Sequence, residues 1–170
     1  PMVVMPHGGP FVREIVIFDE WAHMLANKGF LVLQPQYRGS KGYGQRFYQI
    51  AFSKGGQGGY KMQDDKDDGV AWAVAEGLAS SDRVAMFGWS YGGYAALVAA
   101  SRKPQIYRCV IAGAAVTDPE MQVNYYRDRL RGRSKVEQLR MWDDSVSPIN
   151  EVEQVNIPIL LIHGTVDQRV

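Results

Sequence analysis

Residues 88–93, Gly-Trp-Ser-Tyr-Gly-Gly, place a serine where one apolar run ends and another apolar stretch, residues 94–100, begins. Glycines two residues before and after Ser90 allow a strand to turn sharply into a helix, because side chains would be crowded at those positions. Such a turn exposes the serine hydroxyl, and the helix N-terminus directs its dipole and free N–H groups at an oxyanion. The pattern predicts that Ser90 is a nucleophile.

A carboxylate follows the last apolar run, in the segment Ile-His-Gly-Thr-Val-Asp of residues 162–167. Where a nucleophile lies on a strand-to-helix turn, the acid follows it along the chain and precedes a histidine. Asp167 has this order relative to Ser90 and lies beyond a predicted strand. We therefore predict that Asp167 is the acid; for an aspartate in such a loop, the alternative is an ordinary turn residue.

A third candidate segment, His-Gly-Gly-Pro at residues 7–10, follows the first apolar run. Two glycines after a strand let the main chain approach a substrate closely and offer an N–H group to an oxyanion hole. Taken alone, the segment is an ordinary Gly-Pro turn. Together with the serine turn of residues 88–93, it favours an oxyanion loop.

Five short apolar runs predict the strands that position these segments: residues 2–5, 30–34, 83–87, 109–115 and 159–162. The runs are continuous rather than alternating, which is typical of parallel strands covered on both faces. Helical patterns lie between them, so the predicted fold class is α/β, with an open parallel sheet and right-handed crossovers. The three candidate segments then fall at the C-terminal ends of three strands, where such sheets carry their sites.

The helical patterns differ in how strongly they are amphipathic. The first pattern ends at Gly29, and its apolar face comprises Phe18, Trp21, Ala22, Leu25 and Ala26. The second follows an acidic run, and its apolar face comprises Val70, Ala71, Val74 and Leu78. Residues 94–100 are apolar all round and predict a buried helix. Ser134 and Glu137 have the spacing of a capping box, which predicts a further helix in the long connection 117–157. The glycine-rich residues 54–61 fit no phosphate-binding spacing and predict a flexible loop.

The composition is that of a globular domain, with 46% apolar and 22% charged residues in a chain of 170. Nineteen basic against eighteen acidic residues leave a net charge of +1, which does not indicate nucleic acid or an anionic membrane as a partner. The basic residues between 127 and 135 predict a solvated loop or helix end. No apolar run approaches the roughly 18 residues that a membrane span needs.

Metal and redox chemistry have little support in the sequence. Three scattered histidines and one cysteine give no zinc-ligand spacing, and the acidic run at 64–68 has Lys66 where a calcium loop needs a ligand. No cofactor is predicted. Cys109 lies within an apolar run, which predicts a buried, inert thiol.

Taken together, the motifs resemble those of the prolyl oligopeptidase family of serine peptidases, in its acylaminoacyl-peptidase and dipeptidyl-peptidase branches. The resemblance covers nearly the whole chain and rests on residues 7–10, on Tyr-Arg-Gly-Ser-Lys-Gly-Tyr-Gly at 37–44, on the acidic pair at 64–65, and on residues 88–93 and 163–167. It implies an α/β-hydrolase fold, a mostly parallel sheet with helices on both faces. The chain is expected to contain five of its strands and to be truncated at both ends.

The resemblance also implies a role for each site residue. Ser90 would attack the scissile carbonyl, and the N–H groups of Tyr91 and Gly9 would hold the oxyanion. Asp167 would orient a histidine that acts first as general base and then as general acid.

Two further expectations come from the same resemblance. Tyr126, followed by Arg129 and Gly132 at the spacing seen in dipeptidyl peptidases, is expected to wall the specificity pocket. The family also carries an N-terminal β-propeller, no part of which is present here. Because the histidine follows the acid in this fold, and only residues 168–170 follow Asp167, we expect the 170 residues alone to be inactive.

The expected function is hydrolysis of peptide or acyl-peptide bonds through an acyl-enzyme on Ser90. A carboxylesterase of the same fold would use the same residues, and a non-catalytic hydrolase-like binding module is the alternative from another class.

Overall fold

A computed structural model describes residues 1–53, 55, 57–142 and 145–168 of the chain. In this part of the chain, five parallel strands form one sheet in the order β2-β1-β3-β4-β5. They are β1 (Met2–Val4), β2 (Leu31–Leu33), β3 (Val84–Trp89), β4 (Cys109–Gly113) and β5 (Ile159–Ile162). Each predicted run contains a strand, and β3 continues through Gly88 to Trp89. Because all strands are parallel, their C-terminal ends meet at one edge of the sheet.

The described residues also form six α-helices, α1 (Glu20–Asn27), α2 (Gln45–Gln49), α3 (Met62–Ala75), α4 (Tyr91–Ser101), α5 (Pro119–Arg129) and α6 (Gly132–Trp142). The prediction of a buried helix after the serine turn is confirmed, because every residue of α4 is buried. Its alanines pack with Met86 and Val110 of the sheet and Val70 of α3 in one apolar core. Small side chains let α4 lie close to the middle of the sheet, so the serine turn rests on a rigid base.

The prediction for α3 is correct in its existence and only partly correct in its face. Val70 is buried and Val74 packs against the core, but Ala71 is exposed and Leu78 lies beyond the end of the helix. The buried positions are instead Met62, Gln63, Lys66, Val70 and Ala73. The helix begins before the acidic run, and its first five residues include two buried polar residues, Gln63 and Lys66.

The prediction of a flexible loop at residues 54–61 is wrong for residues 57–61; Gly55 is an exposed turn residue, and Lys54 and Gly56 lie outside the described residues. Gln57–Lys61 form a π-helical turn that leads into α3, and Gly58 and Gly59 are buried. A Cβ on Gly58 would lie 2.7 Å from the carbonyl oxygen of Met141, and one on Gly59 would lie 2.6 Å from the nitrogen of Val146. These glycines are needed for close packing of main chain against main chain.

The first helix covers the sheet less than predicted. It begins after Asp19, whose Oδ1 accepts hydrogen bonds from the main-chain N–H groups of Trp21 and Ala22. No residue of α1 is buried, although the Trp21 ring stacks on Phe87 with the centroids 4.5 Å apart. Phe18 precedes the helix and is exposed.

Two smaller predictions also need correction. Helix α6 begins at Gly132, so Ser134 lies inside its first turn and is not the N-cap that a capping box requires. Cys109 is a free thiol and is half-buried rather than buried.

Candidate active site

Ser90 occupies the sharp turn between β3 and α4. Its backbone has φ 58° and ψ −119°, a conformation that residues with a side chain rarely adopt. Such a residue costs about 1–3 kcal/mol and persists where the surrounding structure enforces it. The N–H of Ser90 donates to the carbonyl oxygen of Gly113 at 2.9 Å, which ties the turn to the end of β4. The sequence-predicted turn is therefore present.

The two glycines of the motif have no room for side chains. A Cβ on Gly88 would lie 2.1 Å from the carbonyl oxygen of Gly92, and one on Gly92 would lie 2.2 Å from the carbonyl oxygen of Pro6. Both clashes involve main-chain atoms, which cannot rotate away as a side chain can. The strained turn at Ser90 therefore depends on glycine at both positions.

The segment after β1 runs beside the serine. A Cβ on Gly8 would lie 3.5 Å from the Cβ of Ser90, and Gly9 has φ 110°, a conformation that favours glycine. Tyr91 is the first residue of α4, so its N–H has no acceptor within the helix. An N–H group from each side of Ser90, together with the helix dipole, suits the stabilisation of an oxyanion.

The ring of His7 supports this segment from behind. It stacks on the ring of Tyr37 with the centroids 4.3 Å apart, and its Nε2 shares a 2.9 Å hydrogen bond with the hydroxyl of Ser40. The Tyr37 hydroxyl donates to the carbonyl oxygen of His7 at 2.5 Å. Burial lowers the pKa of His7 to about 4, so the ring is neutral at physiological pH. With these contacts, His7 can hold the loop of residues 7–10 in place.

Two charged residues of α3 contact the same region, and sequence reasoning missed both roles. Lys66 is fully buried, and its Nζ lies 3.8 Å from the centroid of the Tyr37 ring. Asp65 accepts three hydrogen bonds from Arg38, from the main-chain N–H at 2.8 Å, from Nε at 2.8 Å and from Nη2 at 2.6 Å. The spacing of Met62, Lys66 and Val70 on one helix face was the signal that could have identified the lysine as buried.

Asp167 lies in the loop after β5, at the same edge of the sheet as Ser90. The two residues follow strands that are separated by β4, and the N–H of Ala114, just after β4, donates to the carbonyl oxygen of Ile162 at 2.8 Å. The Oδ2 atom of Asp167 lies 3.6 Å from the Nε2 atom of His163. It also lines a cavity of about 320 Å³ with Thr117 and Tyr125. The structure thus brings Ser90 and Asp167 to one edge, as predicted.

Tyr126 lies in α5 and is half-buried. Its ring meets that of Tyr125 edge to face, with the centroids 5.2 Å apart. The guanidinium of Arg129 lies 4.1 Å above the ring of Tyr125 rather than that of Tyr126. The neighbouring tyrosine, and not Tyr126 itself, lines the cavity that contains Asp167.

A second cavity, of about 330 Å³, adjoins the other side of the serine turn. Its apolar wall comes from Trp21, Phe87 and Trp89, and it extends to Gly8. Glu14 also lines it, and burial together with the nearby Asp19 raises the pKa of its carboxyl. The cavity therefore combines aromatic surface with an acidic group, and it reaches Trp89, the residue before the nucleophile.

The three histidines of the sequence have partners away from the Ser90 hydroxyl. His7 bonds to Ser40, His23 lies in α1 with its Nδ1 2.7 Å from the carbonyl oxygen of Asp19, and His163 faces Asp167. Among the residues that the structure describes, no group of three or more His, Cys, Asp or Glu could hold a metal ion. Nor is any helix in the described ranges long and apolar enough to cross a membrane.

A strained serine between strand and buried helix, with a glycine loop beside it at the C-terminal edge of a parallel sheet, defines an α/β-hydrolase. The family follows from comparison with known proteins. Residues 17–170 match the family model described as the prolyl oligopeptidase family, and the chain belongs to this family.

Individual relatives agree with this assignment. The chain is 32% identical over 180 residues to dipeptidyl aminopeptidase BIII of Pseudoxanthomonas mexicana, with 100% of the chain aligned to 26% of that protein. It is 32% identical over 181 residues to the acylamino-acid-releasing enzyme of Rattus norvegicus, with 100% of the chain and 24% of the relative covered. The chain thus spans about a quarter of the length of these relatives.

A solved structure gives the same result for the fold. An acylaminoacyl peptidase in complex with Z-Gly-Gly-Phe-chloromethyl ketone superposes with a TM-score of 0.80 at 25% identity. The match covers 99% of this chain and 28% of that one.

Proposed function

We propose that the protein is a serine peptidase that hydrolyses peptide or acyl-peptide bonds through an acyl-enzyme on Ser90. The observation that carries the proposal is the backbone of Ser90, with φ 58° at the junction of β3 and α4. A strained conformation of this kind exposes a hydroxyl at the start of a helix, where a covalent intermediate can form and its charge can be stabilised.

In the proposed reaction, the Ser90 oxygen attacks the substrate carbonyl while its proton passes to a histidine. The N–H groups of Tyr91 and Gly9 stabilise the tetrahedral oxyanion, and Asp167 orients the histidine ring. The histidine then donates the proton to the leaving amine, which leaves an ester on Ser90. Water, activated by the same histidine, hydrolyses this ester and restores the serine.

The histidine of this reaction is proposed to lie outside the 170 residues. The partners of His7, His23 and His163 support this, as does the greater length of the relatives. A further proposal is that an N-terminal β-propeller accompanies this domain in the intact protein. We expect the 170-residue chain to give no turnover by itself; turnover equal to that of the intact protein would show that one of these three histidines is the base.

The substrate class is proposed from the relatives, which are named as a dipeptidyl aminopeptidase and an acylamino-acid-releasing enzyme. An apolar pocket wall from Tyr126 would select the side chain next to the scissile bond. The acceptor of the acyl group is water, so the products are a carboxylic acid and an amine.

The test measures the turnover of three substrate types by the intact protein: dipeptidyl p-nitroanilides, N-acetyl-aminoacyl p-nitroanilides and p-nitrophenyl esters. Turnover of an anilide is expected, and Ser90→Ala should lower kcat by about 10⁶-fold. Ser81→Ala is the matched control, because Ser81 lies at an exposed turn before β3. Turnover of esters with none of the amides would assign the protein as a carboxylesterase.

A further inference from the structure

Within the described ranges, Lys66 is the most deeply buried charged residue that the proposed reaction does not use. It has no solvent-exposed surface, and its Nζ donates a 2.7 Å hydrogen bond to the carbonyl oxygen of Met62, in its own helix. The same atom lies 3.8 Å from the centroid of the Tyr37 ring and 5.4 Å from that of Tyr91. The lysine thus reaches the space between α3 and the loops behind Ser90.

Tyr37 links this lysine to the predicted oxyanion loop. Its hydroxyl donates to the carbonyl oxygen of His7 at 2.5 Å, and its ring stacks on the ring of His7. The residue after His7 is Gly8, which lies against the Cβ of Ser90. A movement of the Tyr37 ring would therefore move the main chain that borders the nucleophile.

Stability alone does not account for a lysine at this position. The carboxylates beside it on α3 are engaged elsewhere, Asp65 with Arg38 and Asp67 with the hydroxyl of Tyr107. Burial, which disfavours the charged form, lowers the pKa of Lys66 to about 7. An apolar side chain of similar volume would avoid this desolvation cost.

We propose that Lys66 is a positioning residue that holds the oxyanion loop in place through the ring of Tyr37. The proposal rests on the proposed serine peptidase function, because it assigns the lysine to the same site. The Lys66 nitrogen is held by the carbonyl oxygen of Met62 and lies over the face of the Tyr37 ring, so it restrains that ring by contact and, when protonated, by cation–π attraction. The ring in turn fixes the carbonyl of His7, and with it the N–H groups that follow.

The test uses the intact protein and the variants Lys66→Met, Tyr37→Phe and their combination. Each single variant should lower kcat by about 10- to 100-fold with KM changed less than about twofold, because small displacements of a transition-state contact have effects of this size. The double variant should lose no more than the worse of the two singles, because both act on one loop. Lys61→Met is the matched control, an exposed lysine near the start of the same helix, and should leave kcat unchanged.

Three results would overturn the proposal. One is a Lys66→Met variant with a lowered melting temperature and the parent kcat, which indicates a purely structural lysine. Another is a double variant whose loss equals the product of the single losses, which indicates independent effects. If Lys66→Met does not fold, Tyr37→Phe with the parent kcat has the same meaning. Failure of the parent itself to turn over any substrate would instead contradict the proposed function.

Discussion

Gly8 and Ser90 lie side by side at the edge of the sheet, so close that a Cβ on Gly8 would be 3.5 Å from the Cβ of Ser90. This contact follows from the strand order, because β1 and β3 are neighbours and both end at this edge. The main chain that follows β1 thus borders the nucleophile that follows β3. An oxyanion formed at Ser90 would meet N–H groups from both segments.

The turn at Ser90 should not tolerate alanine at position 88. A Cβ there would lie 2.1 Å from the carbonyl oxygen of Gly92, so Gly88→Ala must displace the start of α4. We expect a loss of more than about 3 kcal/mol of stability and the loss of turnover in soluble protein. Thermal unfolding and the p-nitroanilide assay measure the two effects.

Gly69→Ala is the control for Gly88→Ala. Gly69 lies within α3, and a Cβ there would meet the Cδ2 of Leu33 at 3.2 Å, an atom at the end of a flexible side chain. Alanine also favours the helix by up to about 1 kcal/mol. A melting temperature for Gly88→Ala equal to that of the control would contradict the role given to this glycine.

The strands and the serine turn could be predicted because their signals are local. Continuous apolar runs identify the parallel strands, although three of the four residues of β5 are exposed rather than covered on both faces. The glycine at 88 is required by a clash within the turn, and the one at 92, which clashes with Pro6, is recognised by its place in the motif around Ser90. The buried glycines at 58 and 59 could not be recognised, because their neighbours, Met141 and Val146, lie some eighty residues away in the sequence. Lys66 was missed for a different reason, since lysine in an acidic run is typical of a solvated helix face and this local signal opposes the spacing of Met62, Lys66 and Val70.

The stability of the protein should fall in mild acid because of His7. Its pKa is about 4 in the folded state, compared with 6.5 as the reference value, so the unfolded chain binds a proton that the folded chain does not. The contribution of His7 to the free energy of unfolding is constant above about pH 6.5. As the pH falls from there to 4, the protein loses about 3 kcal/mol of this free energy. Melting temperatures measured between pH 7 and pH 4 report this loss.

His7→Gln removes this titration and keeps a polar side chain. The parent should therefore lose more stability than the variant over this pH range, although the variant starts from a lower value at pH 7. Parallel curves for the two proteins would show that His7 does not titrate differently on folding.

The specificity role predicted for Tyr126 can be separated from that of its neighbour. Tyr126→Ala should lower kcat/KM for preferred substrates by about 10- to 100-fold, because one wall of an apolar pocket contributes about 1–3 kcal/mol. Labelling of Ser90 by a small fluorophosphonate should continue, since this probe does not need the pocket. A panel of anilides that differ in the residue before the scissile bond measures the change in preference.

Tyr125→Ala is the natural comparison, because Tyr125 lines the cavity next to Asp167. If only this variant changes the substrate preference, the pocket wall is Tyr125 and the prediction for Tyr126 is wrong.

The central claim, that Ser90 is an activated nucleophile, is tested most directly by covalent labelling of the intact protein with a fluorophosphonate. Mass spectrometry of the digested protein should find one adduct, on the peptide that contains Ser90. The adduct should be absent from Ser90→Ala and present in Ser81→Ala. An unlabelled parent protein, or equal labelling of Ser90→Ala, would contradict the assignment.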